Sequence, residues 1–257
     1  MLSLTDALVL SSRLVALSIA LQTLELLALR RAFSAEGVFA TGPRETGVQA
    51  LFGEESRFMA LLGLQLALAS YLLLVGPSPL FLVLFASYLL VVVRLAGPFN
   101  GGSDALSALS LLMLGIAAWD PLPGGVIRQG ALAYLGVQLL FSYFVAGLAK
   151  LKEAGWRNGR ALVHFASLPK YGVPRAAQAL LAKPLVARGA SWTILLFECS
   201  FPLAFLGERA CLAYLACGAC FHLLNAALFG LNRFFFAWIA LYPILLALTG
   251  RGLSLVP

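Results

Sequence analysis

Apolar residues fall in long runs along this chain, and the polar ones collect at a small number of breaks. A helix needs about 20 apolar residues to cross a hydrocarbon core. By that measure the pattern predicts eight spans, at residues 5–30, 58–75, 79–96, 104–120, 127–149, 189–206, 209–228 and 231–249. Gly76-Pro77-Ser78-Pro79 and Gly207-Glu208 are tight breaks and predict antiparallel helical hairpins. Pro121-Leu122-Pro123-Gly124-Gly125 stops the fourth span, because proline lacks an amide donor and glycine permits the turn. Two stretches do not read as spans. Residues 31–57 carry Arg44, Glu45, Glu54 and Glu55 and predict a short surface helix. Residues 150–188 hold eight basic residues and Pro169, Pro174 and Pro184; two weakly amphipathic pieces, 157–167 and 175–183, predict helices lying in the headgroup plane. The expected fold is all-α, a polytopic transmembrane helical bundle forming one transmembrane domain over residues 1–257, with no internal repeat.

Composition strengthens that picture. The chain is 61% hydrophobic and 11% charged, where a soluble domain carries roughly 25% charged residues. Its mean hydropathy is +0.93. This predicts a multi-pass protein of the cell membrane with the lipid bilayer as its solvent. The early Arg13 and the lack of a small-residue cleavage pattern predict that the first helix is retained. A net charge of +7 would point to nucleic acid in a soluble protein. Here no basic stripe alternates with aromatics, so no nucleic acid is expected. In an eight-span topology fourteen of the eighteen Lys and Arg share one face, against Arg128, Arg209 and Arg251 on the other. The positive-inside rule makes the loaded face cytoplasmic. Cys199, Cys211, Cys217 and Cys220 all lie in apolar segments. Cys217-x-x-Cys220 reads as small packing residues, and no His/Cys cluster completes a tetrahedral set, so no metal is expected.

Ionisable groups inside apolar spans are costly, and are paired or functional. Arg13, Glu25, Arg94, Asp104, Glu198 and His222 are in that position. Arg94-Leu95-Ala96-Gly97-Pro98-Phe99-Asn100-Gly101-Gly102-Ser103-Asp104 bends sharply at Asn100, and Ser103 or Asp104 can cap the next helix. Arg94 lies one turn inside the span, and Asp104 is its nearest carboxylate in sequence. His222 and Asn225 are i,i+3 on one helix and share a face, either as structural polar groups or as the lining of a cavity. Lys150 ends the fifth span, just before Trp156. A lysine there snorkels to the interface; alternatively, an amine kept from water is disfavoured as ammonium and serves as a base. Glu198, midway along the sixth span, is the acid available to orient Lys150 or His222.

Tyr143-Phe144-Val145-Ala146-Gly147-Leu148-Ala149-Lys150-Leu151, followed by Trp156 and Gly159, resembles the catalytic-lysine segment of vitamin K-dependent gamma-carboxylase. Phe221-His222-Leu223-Leu224-Asn225-Ala226-Ala227-Leu228-Phe229 resembles that enzyme's His-Asn helix, and Asn100-Gly101-Gly102-Ser103 its asparagine-rich turn. The broader resemblance is to the HTTM (horizontally transferred transmembrane) domain family, over roughly residues 80–245. In the carboxylase the matching lysine deprotonates vitamin K hydroquinone; after oxygen adds, a strong base removes a glutamate γ-proton and carbon dioxide is captured. The resemblance therefore implies a catalytic Lys150, a His222 near the quinone, and vitamin K hydroquinone or another quinol as cofactor. It places Asn225, Trp156 and Asn100 around the cofactor, where Glu198, Arg94 and Asp104, singled out above as charges in apolar spans, are further candidates, and it gives a secreted or ribosomally made peptide as partner. The carboxylase turn has a histidine where this chain has Gly102, and its large soluble domain has no counterpart before Pro257. Its reactive face is lumenal, opposite to the side the charge rule favours. Short bacterial members of the group that assist a secreted peptide imply the alternative, a non-catalytic factor for peptide maturation or export. A quinone-linked DoxX-type subunit is disfavoured by the extra spans, and a transporter by the missing repeat.

Overall fold

The structure is a computed structural model that describes residues 2–34, 36–40, 46–95 and 101–250. Arg44, Glu45, Asn100 and Arg251 lie outside the described residues. The described residues are helical with turns and no strand, as the apolar pattern predicts. Among the described residues, seven helices are long and apolar enough to cross a membrane. The chain divides into two compact units: Met1–Leu135 with Phe236–Ile244, and Gly136–Phe235 with Leu245–Pro257.

The first unit is built on α1 (Leu4–Ala28), α3 (Glu55–Val75), α4 (Phe81–Arg94) and α5 (Gly102–Trp119), with a four-residue surface helix, α2 (Val48–Leu51). Ser3 caps α1 by accepting from the Asp6 amide at 3.0 Å. α1 packs along α3, and Gln65 on α3 donates to the Thr23 hydroxyl on α1 at 2.8 Å, both residues buried. Arg13 and Glu25 are exposed on α1. Of the eight expected spans, the third falls short. α4 has 14 residues, about 21 Å of helix against a core of about 30 Å. The apolar run there includes Pro79 and Leu80, which form the entering turn with Phe81 N–H bonded to the Ser78 carbonyl at 3.1 Å. Asp120, just beyond α5, accepts from the amides of Leu122 and Arg128 at 3.0 Å each. The Arg128 amide above all holds its carboxyl below the ordinary value of 3.8, and the carboxylate sits at the positive end of α6 (Val126–Lys152).

The second unit takes the rest of α6 and then three short helices, α7 (Ala154–Arg157), α8 (Arg160–Ser167) and α9 (Arg175–Leu181). α8 and α9 fall where the amphipathic pieces are expected. α10 (Pro184–Ser200) continues through a 3-10 turn at Phe201–Leu206, and α11 (Glu208–Phe229) follows. α10 begins five residues before the expected span because Pro184 occupies its first turn, where a missing amide costs nothing. α11 ends at Gly230, with φ +68; its amide bonds to the Ala226 carbonyl and the Leu231 amide to that of Asn225, the glycine-terminated close that a left-handed residue permits. The last span comprises α12 (Asn232–Ile239) and α13 (Tyr242–Gly250).

Candidate functional site

Three helical stripes build the centre of the second unit. On α6, Leu139, Tyr143, Gly147 and Lys150 recur every three or four residues and so share a face. On α10 the buried stripe is Ala187, Ser191, Leu195 and Glu198. On α11 it is Cys211, Leu215, Gly218 and His222. The meeting of α6 and α10 depends on Gly147. A Cβ there would stand 2.8 Å from the Cys199 amide nitrogen, 2.9 Å from its Sγ and 2.9 Å from Glu198 Cβ. With only a hydrogen at that position, the helices touch one turn before Lys150.

That contact places Lys150 Nζ 2.8 Å from Oε1 and 2.7 Å from Oε2 of Glu198. The Glu198 side chain is 4% exposed and that of Lys150 23%. A carboxylate so removed from water requires a partner, and the lysine supplies it with both oxygens engaged. Lys150 Nζ also lies 5.5 Å from the centre of the Trp156 ring, a cation–π distance. Trp156 is set in place from α10: the Ser191 hydroxyl donates to its carbonyl, and the Trp192 indole donates to the neighbouring Arg157 carbonyl at 3.0 Å. The Arg157 guanidinium turns back to the Leu151 and Lys152 carbonyls at 2.7 and 2.8 Å, closing the end of α6. Gly159, φ +82, opens α8 against α10, where a Cβ would meet the Arg188 amide nitrogen at 2.6 Å.

Lys150 stands in the wall of a cavity of about 190 Å³. Its lining is otherwise Trp156, Leu162, Phe165, Tyr171, Ile194, Phe221, Asn225, Phe229 and Leu231. Asn225, donating to the Phe221 carbonyl at 3.0 Å, is the other strongly polar side chain there. His222 is not among the described residues that line it. It is buried and shares a 2.7 Å hydrogen bond, through Nε2, with the Tyr143 hydroxyl. Tyr143 in turn stacks on Phe201 at 3.8 Å and meets Phe197 edge-on at 5.6 Å.

Lys150, Glu198, Trp156 and Asn225 are thus brought together, and His222 lies in the adjoining aromatic layer of the same unit. Arg94 and Asp104 belong to the first unit. Arg94, 5% exposed, donates to the carbonyls of Phe52 at 2.8 Å and Phe39 at 3.0 Å and lies 5.2 Å from the Phe58 ring centre. Asp104 accepts from the Tyr88 hydroxyl at 3.2 Å. Through these bonds Arg94 ties the 31–57 connection to α4. Sequence reasoning missed Tyr143, Gly147 and Ser191. The first two were within reach, since Tyr143, Gly147 and Lys150 follow the i, i+4, i+7 spacing of one helical face.

Long apolar helices that hold a lysine–glutamate pair beside a mostly apolar cavity define a polytopic helical membrane protein. A family model described as the HTTM domain matches residues 127–249. That stretch contains Tyr143, Lys150, Trp156, Glu198, His222 and Asn225, and over it the resemblance to the HTTM family is shown. No curated protein and no solved structure matches the chain.

Proposed function

We propose that this HTTM-domain membrane protein is a gamma-carboxylase-like enzyme in which Lys150, held by Glu198, is the base acting on a hydroquinone in the adjoining cavity. The observation that carries the reading is the two-pronged contact of Lys150 Nζ with Glu198, 2.7 and 2.8 Å, in the wall of a mostly apolar cavity. The fit to a quinol rests on size and lining. The volume of about 190 Å³ compares with the roughly 150 Å³ apolar cavity known to admit benzene. Trp156 and Phe165 would face a ring, and Lys150 and Asn225 would reach its oxygens.

A bound quinol supplies an acidic hydroxyl and two electrons. With the proton of the pair on Glu198, Lys150 Nζ is a free amine that takes the hydroxyl proton, and the Glu198 oxygens at 2.7 and 2.8 Å hold the ammonium so formed. Trp156 fixes the amine from its open side. The apolar walls exclude water, which strengthens each of these electrostatic contacts. Asn225 orients the ring through a polar contact without competing for the proton.

The second reading is a non-catalytic membrane factor for the maturation or export of a secreted peptide. The mostly apolar lining of the cavity favours it, since Leu162, Phe165 and Ile194 could receive an apolar side chain without Lys150. The test is oxygen uptake by protein purified in detergent and supplied with reduced benzoquinones and naphthoquinones. Lys150→Ala should abolish uptake while the protein stays monodisperse. Lys150→Arg should fail too, because guanidinium stays protonated. No uptake by the unaltered protein with any hydroquinone, together with peptide capture that survives Lys150→Ala, would establish the second reading.

A further inference from the structure

Residues 150–188 hold eight Lys and Arg against one acidic residue, Glu153. This segment alone therefore accounts for the chain's formal +7, and the remainder is neutral. Lys150 is taken by Glu198 and Arg157 by the end of α6. The other six are Lys152, Arg160, Lys170, Arg175, Lys183 and Arg188, all exposed and, among the described residues, none in an ion pair. Beside them Leu180 and Leu185 protrude, 53% and 86% exposed.

The opposite face of the same segment is apolar and occupied. Leu162, Ala166 and Val173 are buried, and Leu162, Phe165 and Tyr171 line the Lys150 cavity. The segment from α7 to the first turns of α10 is thus a cover, with an inner face that closes the cavity and an outer face on which Arg160, Lys170, Arg175, Lys183 and Arg188 have no ion pair among the described residues and Leu180 and Leu185 are bare. Helices of eight and seven residues are unstable alone, and like charges crowded on them repel. An anionic surface removes that repulsion. The leucines decide which surface. A soluble acidic peptide would leave Leu180 and Leu185 in water, whereas the headgroup–acyl boundary accepts cations and leucines together.

We propose that the outer face of this cover binds anionic phospholipid headgroups, with Leu180 and Leu185 in the acyl boundary, and that this contact holds the cover shut over the Lys150 cavity. It does not depend on the chemistry proposed for Lys150, and its readout involves neither quinol nor oxygen. The test is amide hydrogen exchange of residues 160–181 in the full chain, in nanodiscs of phosphatidylcholine alone or mixed with phosphatidylglycerol. Phosphatidylglycerol should slow exchange, by about fivefold for each cation in contact. Arg175→Gln/Lys183→Gln should lose roughly 25-fold of that slowing in the phosphatidylglycerol discs. Raised salt should reverse the slowing in the unaltered protein. Equal exchange in both kinds of disc overturns the proposal. So does equal slowing by an oligoglutamate peptide in phosphatidylcholine discs, which would assign the face to an acidic peptide.

Discussion

Adding one methyl group at Gly147 tests the geometry on which the site stands. Inside a helix, Gly→Ala normally stabilises, by about 1 kcal/mol, because glycine loses more backbone freedom on folding. At Gly147 the new Cβ would lie 2.8 Å from Cys199 N and 2.9 Å from Glu198 Cβ. Non-bonded heavy atoms settle at about 3.5–4.0 Å, so α10 must retreat by roughly 1 Å. Overpacking of this kind costs about 1–3 kcal/mol, and the net effect is a loss of roughly 0–2 kcal/mol. The same retreat carries Glu198 beyond hydrogen-bond reach of Lys150. Gly130, also on α6, has nothing within 4 Å of its Cβ position, so Gly130→Ala should show the ordinary gain. Thermal midpoints in detergent separate the two at roughly 2–4 °C per kcal/mol for a chain of this size. Gly130→Ala should raise the midpoint, and Gly147→Ala should leave it unchanged or lower it. Equal gains would mean that α6 and α10 do not touch at Gly147, and the Lys150–Glu198 contact would lose its basis.

Lys150→Ala should destabilise by about 2–4 kcal/mol, below the 3–5 of a fully buried broken pair, because the Lys150 side chain keeps 23% exposure. Lys150→Met with Glu198→Gln should recover most of that loss, and additivity within about 0.5 kcal/mol in the double-mutant cycle would contradict the pairing. Tyr143→Phe keeps the stack on Phe201 but deletes the 2.7 Å bond to His222, so the midpoint should fall by the equivalent of about 1–2 kcal/mol; an unchanged midpoint refutes the bond. Asp120 should impart an acid limb to stability. Its folded pKa is depressed, so its contribution is complete above the ordinary 3.8 and disappears as pH falls through the lower folded value. Asp120→Asn should have a lower midpoint near neutral pH and a flatter decline below about pH 4; parallel pH curves would dismiss the capping role.

The helices were legible because about 20 apolar residues in a row leave few alternatives, and each of the eight runs is helical, the sixth ending in a 3-10 turn and the last broken between α12 and α13. Their ends were less so. α4 is cut short because Pro79 and Leu80 are apolar by composition but belong to a turn, and α10 starts early because a proline that would break a helix interior opens one instead. Glu198 was open between two partners, Lys150 and His222, since residues 48 apart meet only if their helices do, and that is decided by the absence of a side chain at Gly147.

His222 and Asn225 show how far spacing alone carries an argument. A separation of three residues turns a helix through about 300°, so the two side chains leave α11 about 60° apart. That is close enough to be read as one polar face and wide enough to enter different surroundings. Asn225 reaches the cavity, while His222 turns to Tyr143 behind it. Tyr143 and Lys150 are seven residues apart on α6, so the histidine is tied to the helix that carries the lysine through the Tyr143 hydroxyl. On this geometry His222 acts on the cavity by fixing α6 against α11. Its removal should then loosen the Lys150 contact with Glu198 even though the imidazole is absent from the cavity wall.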